Sequence, residues 1–156
     1  KYRNHGMIDR DHIDIWGVNM RLQPLQAIVA LEGLKKIDNV IKKRNENAKK
    51  MDNLLLNLSH NVVIPKRPKG YRETFALYMC LVKNRDKLLK YCLKKGVEAK
   101  IHYPTPIYRQ KPFLQKGYKK GDFPMAERQS DQILSLPVNQ YLTRTDLKTI
   151  VKKIYR

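Results

Sequence analysis

The 156-residue sequence predicts an α+β fold: a long spine helix on one side and a small, mainly antiparallel sheet packed on shorter helices. Three observations carry that expectation. A single apolar stripe of helical period runs through residues 24–58, short apolar segments of strand length follow it, and amphipathic helical stretches alternate with those segments. No internal repeat is present.

The stripe sets the frame. Pro24 suits a first helical position, where its missing N–H costs nothing. From there Ala30, Leu34, Ile37, Ile41, Ala48, Met51, Leu55 and Leu58 recur at spacings of three and four, interrupted only by Arg44. Such a helix would hold about 35 residues and reach roughly 50 Å. Lysines at 35, 36, 42, 43, 49 and 50 cover its other faces. Residues 1–23 read as a connecting segment with little periodicity, ending in the lead-in Gly17-Val18-Asn19-Met20-Arg21-Leu22-Gln23. The expected division is therefore 1–23 connector, 24–58 spine and 59–156 small α+β domain. A spine this long would bridge two regions of a larger body, leaving apolar surface at Leu25, Ile28 and Val29 that drives self-association.

Beyond the spine, residues 57–61 carry helix-stopping types, and Val62-Val63-Ile64 before Pro65 predicts a short strand. Residues 66–72, with Pro68 and Gly70, predict a loop. Phe75 to Val82 is apolar throughout and predicts a central strand covered on both faces. Asn84 or Asp86 would cap a helix to about Lys95, ended by Gly96. Val97 to Tyr103 predicts a second strand, stopped by Pro104-Thr105-Pro106. Residues 111–121 predict loop or broken helix, and Pro124 to Leu134 a helix with Met125, Ala126 and Ile133 inward, then an extended segment to Pro137. Thr143-Arg144-Thr145-Asp146 resembles a capping box before a last helix whose inner face is Leu147, Ile150, Val151 and Ile154.

Net charge is +19. Phosphate neutralisation by such a chain would favour nucleic acid. The lysines, however, are spread over helix surfaces, with no basic block and no alternation with aromatics that would build a stacking platform. Solvated lysine faces, or attraction for a small anionic substrate, account for the charge better than nucleic acid does. No apolar run reaches the ~20 residues of a membrane span, and no signal-peptide pattern is present. Cys80 and Cys92 lack paired spacing and read as buried thiols of a cytoplasmic protein. The four histidines show no metal-ligand spacing.

Two stretches could carry chemistry. A helix N-terminus attracts phosphate, and Asn19 and Arg21 just ahead of Pro24 would extend such a site. The same residues also fit a plain loop, Asn19 satisfying backbone and Arg21 pairing with a carboxylate, and spacing alone leans that way. His102-Tyr103-Pro104-Thr105-Pro106-Ile107-Tyr108 puts an imidazole and two phenols on a proline-stiffened loop, which suits either a ligand wall or simple packing. Asp9 and Asp11 read as a solvated turn. No Gly-rich phosphate loop, Gly-x-Ser-x-Gly or His-Glu-x-x-His is present.

Taken together, Arg3-Asn4-His5-Gly6, Gly17-x-Asn19-x-Arg21 leading to Leu25-Gln26-Ala27, Arg44, Asn84-Arg85-Asp86, Gly96-Val97, His102-Tyr103-Pro104-x-Pro106, Gly121-Asp122-Phe123-Pro124-x-Ala126-Glu127 and Ile133-Leu134-Ser135-Leu136-Pro137 resemble, in order, the second half of the DegT/StrS family. These are fold-type I, pyridoxal-phosphate-dependent aminotransferases acting mostly on nucleotide-linked keto-sugars. The resemblance covers essentially the whole sequence and implies the C-terminal small domain of that fold.

It further implies a homodimer in which Asn19, with Arg21, holds the cofactor phosphate of the partner subunit, while His102 and Tyr103 border the sugar-nucleotide. Where the family often has histidine, this sequence has Tyr108, and a phenol cannot become cationic as an imidazole can. Glutamate is the implied amino donor. The family's Schiff-base lysine is expected upstream of Lys1, and none of the lysines present has its context. Because that covalent bond underlies the chemistry, the 156 residues alone are expected to be inactive. A basic module binding RNA or another polyanion is the alternative of a different class.

Overall fold

The computed structural model describes residues 1–56 and 62–154. It forms two compact units, 1–39 and 40–156.

In the first unit the backbone folds back on itself as a small antiparallel loop. Asn4 bridges Asn19 and Met7 bridges Ile13. The amide of Val18 donates to Tyr2 O at 2.8 Å, and that of Met20 to Arg3 O at 2.9 Å. Gly6 and Gly17 make the fold-back possible. Gly6 has φ +75°, and a Cβ there would lie 1.6 Å from Ile15 O; a Cβ at Gly17 would lie 2.2 Å from Gly6 N. The Asp9 carboxylate accepts the amides of Asp11 and His12, both at 2.9 Å. Asp9 is thus a turn-forming residue, as expected, and the Asp11 amide chiefly holds its carboxyl below the usual range.

Helix α1, Pro24–Leu34, follows, with Pro24 in its first turn as expected. The expected unbroken helix over 24–58 is corrected: α1 ends at Leu34 and α2 runs Ile37–Leu56. At the junction the Lys36 amide bonds Gly33 O, an i→i−3 link that tightens the turn. Gly33 gives the physical reason, since glycine costs a helix about 1 kcal/mol relative to alanine. The stripe is likewise corrected. Ala30, Leu34 and Ile37 are exposed; burial begins at Ile41 and is complete at Ala48, Met51 and Leu55. The stop signals at 57–61, and Leu58, lie outside the described residues.

The second unit holds a three-stranded antiparallel sheet ordered β1 (Val62–Val63), β2 (Tyr78–Val82) and β3 (Ile133–Leu136). Tyr78 pairs with Leu136 and Leu81 with Ile133; Val62 pairs with Val82. β2 is central as expected, but its faces are covered unequally: Tyr78, Cys80 and Val82 are buried, while on the other face Met79 is exposed and Leu81 half-buried. The expected strand Val97–Tyr103 is also corrected. Val97 and Ala99 are buried as in a strand, yet only Lys100 bridges, to Ser135 on β3.

Helix α3, Arg85–Lys94, ends at Gly96 with φ +74°, as read from the sequence. Asn84 stands at its N-cap without a side-chain bond. Arg85 is buried and donates to Ser130 O and Ile133 O, tying α3 to the entry of β3. A 3-10 turn at Ile107–Arg109 and helix α4, Lys111–Leu114, form the broken helical region. Helix α5 spans Pro124–Gln132, with Met125 and Ala126 exposed instead of inward. Helix α6, Arg144–Ile154, buries Leu147, Ile150 and Val151.

The core gathers Met51 and Leu55, the inward face of β2 and β3, Cys92 and α6. Both cysteines are buried free thiols; burial pushes Cys80 up to about 12 and raises Cys92 as well. Across the core's rim, Arg67 grips Asp52 through two hydrogen bonds of 2.8 and 3.0 Å, reaches Glu73 at 3.1 Å and lies over the Phe75 ring. Tyr78 donates to the same Asp52 at 2.6 Å. This clasp holds loop 66–75 against α2 and β2.

Candidate functional site

The two predicted clusters lie in different units, and each has its own geometry. In the first unit Asn19 and Arg21 stand on the returning limb of the glycine-locked loop, and both are exposed. Arg21 Nε donates to Asn4 Oδ1 at 2.6 Å, so its partner is a carboxamide and not a surface carboxylate. The Arg3 guanidinium is tied to Met20 O at 3.2 Å. The Asn19 side chain makes no hydrogen bond among the described residues. The arrangement therefore offers a free carboxamide and a guanidinium anchored at one nitrogen, with no carboxylate bonded to either. That chemistry fits the phosphate of pyridoxal phosphate, an anion needing N–H donors.

In the second unit His102, Tyr103 and Tyr108 together line one cavity, and His102 also lines a second. One, of about 240 Å³, is lined by His102, Tyr103, Ile107, Tyr108, Gln129 and Ile133 among others, and no charged side chain borders it. Tyr103 is largely exposed, and its ring meets that of His102 edge-on at 5.5 Å. Tyr108 is buried. Its hydroxyl donates to Glu127, whose carboxylate also accepts the Gly121 amide at 2.7 Å. The ring of Tyr108 thus faces the cavity while its hydroxyl is spent on holding the 121–127 turn. Burial, then the Glu127 carboxylate, push the phenol up to about 12, so it stays neutral. The Gly121 amide, followed by Tyr108, holds Glu127 below the usual carboxylate range.

The second cavity, of about 210 Å³, is also lined by His102 and mixes polar side chains with Leu77, Leu136, Pro137 and Val138. His102 Nδ1 is 2.9 Å from Ser135 Oγ, which fixes the ring on β3. Arg44, Lys100 and Asn139 line this space. Lys100 and Asn139 are new to the candidate site, while Arg44, Ser135 and Glu127 stand in stretches that carry the resemblance without a role assigned there. For Arg44 the signal was present: it alone interrupts the apolar stripe. Asn139 carries no comparable mark, because the return of the loop after β3 brings it to the cavity that His102 lines.

Among the described residues no group of three or more His, Cys, Asp or Glu could hold a metal ion. No helix among them is long and apolar enough to cross a membrane.

Comparison with known proteins accords with this geometry. The chain is 30% identical over 142 residues to the erythromycin biosynthesis sensory transduction protein EryC1 of Saccharopolyspora erythraea, covering 91% of this chain and 38% of that one. It is 25% identical over 155 residues to dTDP-3-amino-3,6-dideoxy-alpha-D-galactopyranose transaminase of Aneurinibacillus thermoaerophilus, covering 99% and 41%. The fold superposes on S. venezuelae DesV with a TM-score of 0.88 at 24% identity, covering 99% of this chain and 41% of that one. The chain spans about two-fifths of the length of these relatives. The DegT/DnrJ/EryC1/StrS aminotransferase family matches residues 1–155, and the chain belongs to that family.

Proposed function

We propose that these residues are the C-terminal part of a pyridoxal-phosphate-dependent aminotransferase that moves an amino group from glutamate to a nucleotide-linked keto-sugar. The family match over residues 1–155 is the observation that carries this reading. The transaminase name of the Aneurinibacillus relative, which specifies a dTDP-linked amino-sugar, supports the substrate class.

Residues 1–23 act as connector, 24–58, with its two helices α1 and α2, as the segment that takes the place of the expected spine, and 59–156 as small domain of a cytoplasmic homodimer. Asn19 and Arg21 bind the cofactor phosphate held by the partner subunit; their exposure and lack of acidic partners support that role. His102 and Tyr103 border the sugar. Tyr108 supplies a neutral wall through its ring, while its hydroxyl stays with Glu127. Pyridoxal phosphate, when bound, supplies the carbonyl that carries the amino group between donor and acceptor. The lysine that anchors it lies outside these 156 residues, and the chain by itself performs no transamination.

Titration of the isotope-labelled chain with a UDP-linked hexose, and separately with single-stranded RNA, tests the reading. The nucleotide-sugar should perturb residues 102–108, and RNA should bind feebly near physiological salt. Micromolar RNA binding with a steep salt slope, and no response to the nucleotide-sugar, would instead establish a polyanion-binding module.

A further inference from the structure

Arg44 is the one charge set into the apolar stripe of α2, and the proposed function gives it no task. Its guanidinium is half-buried and fixed at two points, Nε donating to Gln140 Oε1 at 3.1 Å and Nη1 to Phe75 O at 3.1 Å. Both acceptors are neutral, and no carboxylate among the described residues pairs with it. A partly desolvated cation held rigidly without a counter-ion is an arrangement that an anionic ligand completes.

The surroundings define which anion. Arg44 lines the 210 Å³ cavity beside His102, together with Glu98, Lys100, Ser135 and Asn139. That volume lies below the roughly 300 Å³ at which pockets begin to hold drug-sized ligands, so the cavity itself takes up a compact group. Two cations and one carboxylate line the space: Arg44 is fixed, Lys100 and Glu98 form an exposed pair at 2.7 Å, and the surplus is a single positive charge. A single carboxylate matches that surplus and suits the planar donor fork of arginine. Asn139 adds a donor: its Oδ1 already accepts the Tyr141 amide at 2.9 Å, which leaves its NH₂ for a ligand oxygen.

We propose that Arg44, supported by Lys100 and Asn139, binds a carboxylate of the amino donor in the cavity beside His102. This rests on the aminotransferase reading above. Phosphate shares the anionic chemistry, so the test separates the two sources.

The labelled chain is titrated with glutarate, a dicarboxylate of the donor's size, and with inorganic phosphate, following the Arg44 Nε–H and His102 ring signals. Glutarate should shift both and bind more tightly than phosphate. Arg44→Lys should weaken glutarate roughly ten- to a hundredfold, because the fixed fork is lost. Arg44 also braces the fold, so Glu98→Gln provides an independent variant: among the described residues Glu98 pairs only with Lys100, and its neutralisation should tighten glutarate about two- to fivefold. Equal or tighter binding of phosphate, no glutarate shift at Arg44, or no gain in Glu98→Gln each overturns the donor site. If the nucleotide-sugar response of residues 102–108 persists in that event, the aminotransferase reading stands and only this assignment falls.

Discussion

Helices α1 and α2 hold opposite lessons about apolar residues. α1 carries Leu25, Ile28, Val29, Leu31 and Leu34 within eleven residues, yet it buries none of its side chains. α2 is studded with lysines and still buries Asn47, Ala48, Met51 and Leu55 completely or nearly so. The difference is arrangement. In α2 the apolar residues form one stripe, matched by β2, β3 and α6 within the 40–156 unit. In α1 they are dispersed round the helix, and Leu25 and Val29 remain 76% and 68% exposed. A helix apolar on all sides is of the kind enclosed by other protein. Composition decides whether a helix can be buried; the neighbouring elements decide whether it is.

The largest expected effect tests this directly. Met51→Ala should destabilise the 40–156 unit by about 2–5 kcal/mol, the range for emptying a packed core position. Met51 is fully buried, so the cavity has no solvent to fill it cheaply. Leu25→Ala should change stability by less than about 0.5 kcal/mol. If the exposed α1 surface drives self-association, Leu25→Ala should reduce it. Denaturant unfolding and sedimentation velocity read the two outcomes. A Leu25→Ala loss as large as that of Met51→Ala would erase the contrast between the helices.

The same contrast explains what could be read from the sequence. The α3–Gly96 ending, the Thr143 cap and the inner face of α6 were legible because each depends on residues within one turn of one another. Val97–Tyr103 failed as a strand for the opposite reason. Its alternation of buried Val97 and Ala99 with exposed Glu98 and Lys100 is that of a strand, but a strand needs a partner ladder, and only Ser135 offers one pairing. The spine failed at Lys35 and Lys36, just past Gly33, a glycine that weakened a pattern stripe periodicity alone would extend. At the candidate site, His102, Tyr103 and Tyr108 were legible as a loop carrying polar rings. That the Tyr108 hydroxyl turns to Glu127, and that Arg44 meets His102 across a cavity, depends on tertiary placement that periodicity does not encode.

A smaller expected effect concerns the loop that presents Asn19. Gly17→Ala would place its Cβ 2.2 Å from Gly6 N, a backbone atom that cannot move aside alone. The Asn4–Asn19 pairing should open, and the amides of residues 2–20 should lose protection from hydrogen exchange. The 40–156 core should keep its unfolding midpoint, because none of its buried residues lies in that loop. A matching loss of core stability in Gly17→Ala would mean that the two units unfold as one.

The smallest effect lies at the start of α6, inside the well-packed unit. Thr143 Oγ1 accepts the Asp146 amide at 3.2 Å, while Asp146 accepts from the Thr143 hydroxyl at 2.7 Å and the Thr143 amide at 2.8 Å. Loss of this reciprocal cap in Thr143→Ala should cost about 1 kcal/mol. The hydroxyl, then the amide, hold the Asp146 carboxyl below its ordinary 3.8. A carboxyl depressed in the folded state stabilises that state when ionised. Its contribution is therefore present above the unfolded value and is lost as pH falls through the lower folded value. Stability followed by circular dichroism should decline below about pH 4 through this group, and Asp146→Asn should flatten that part of the profile while costing less than Thr143→Ala at neutral pH. An unchanged acid limb in Asp146→Asn would assign the decline to other carboxylates, of which the Gly121-bonded Glu127 is the first to examine.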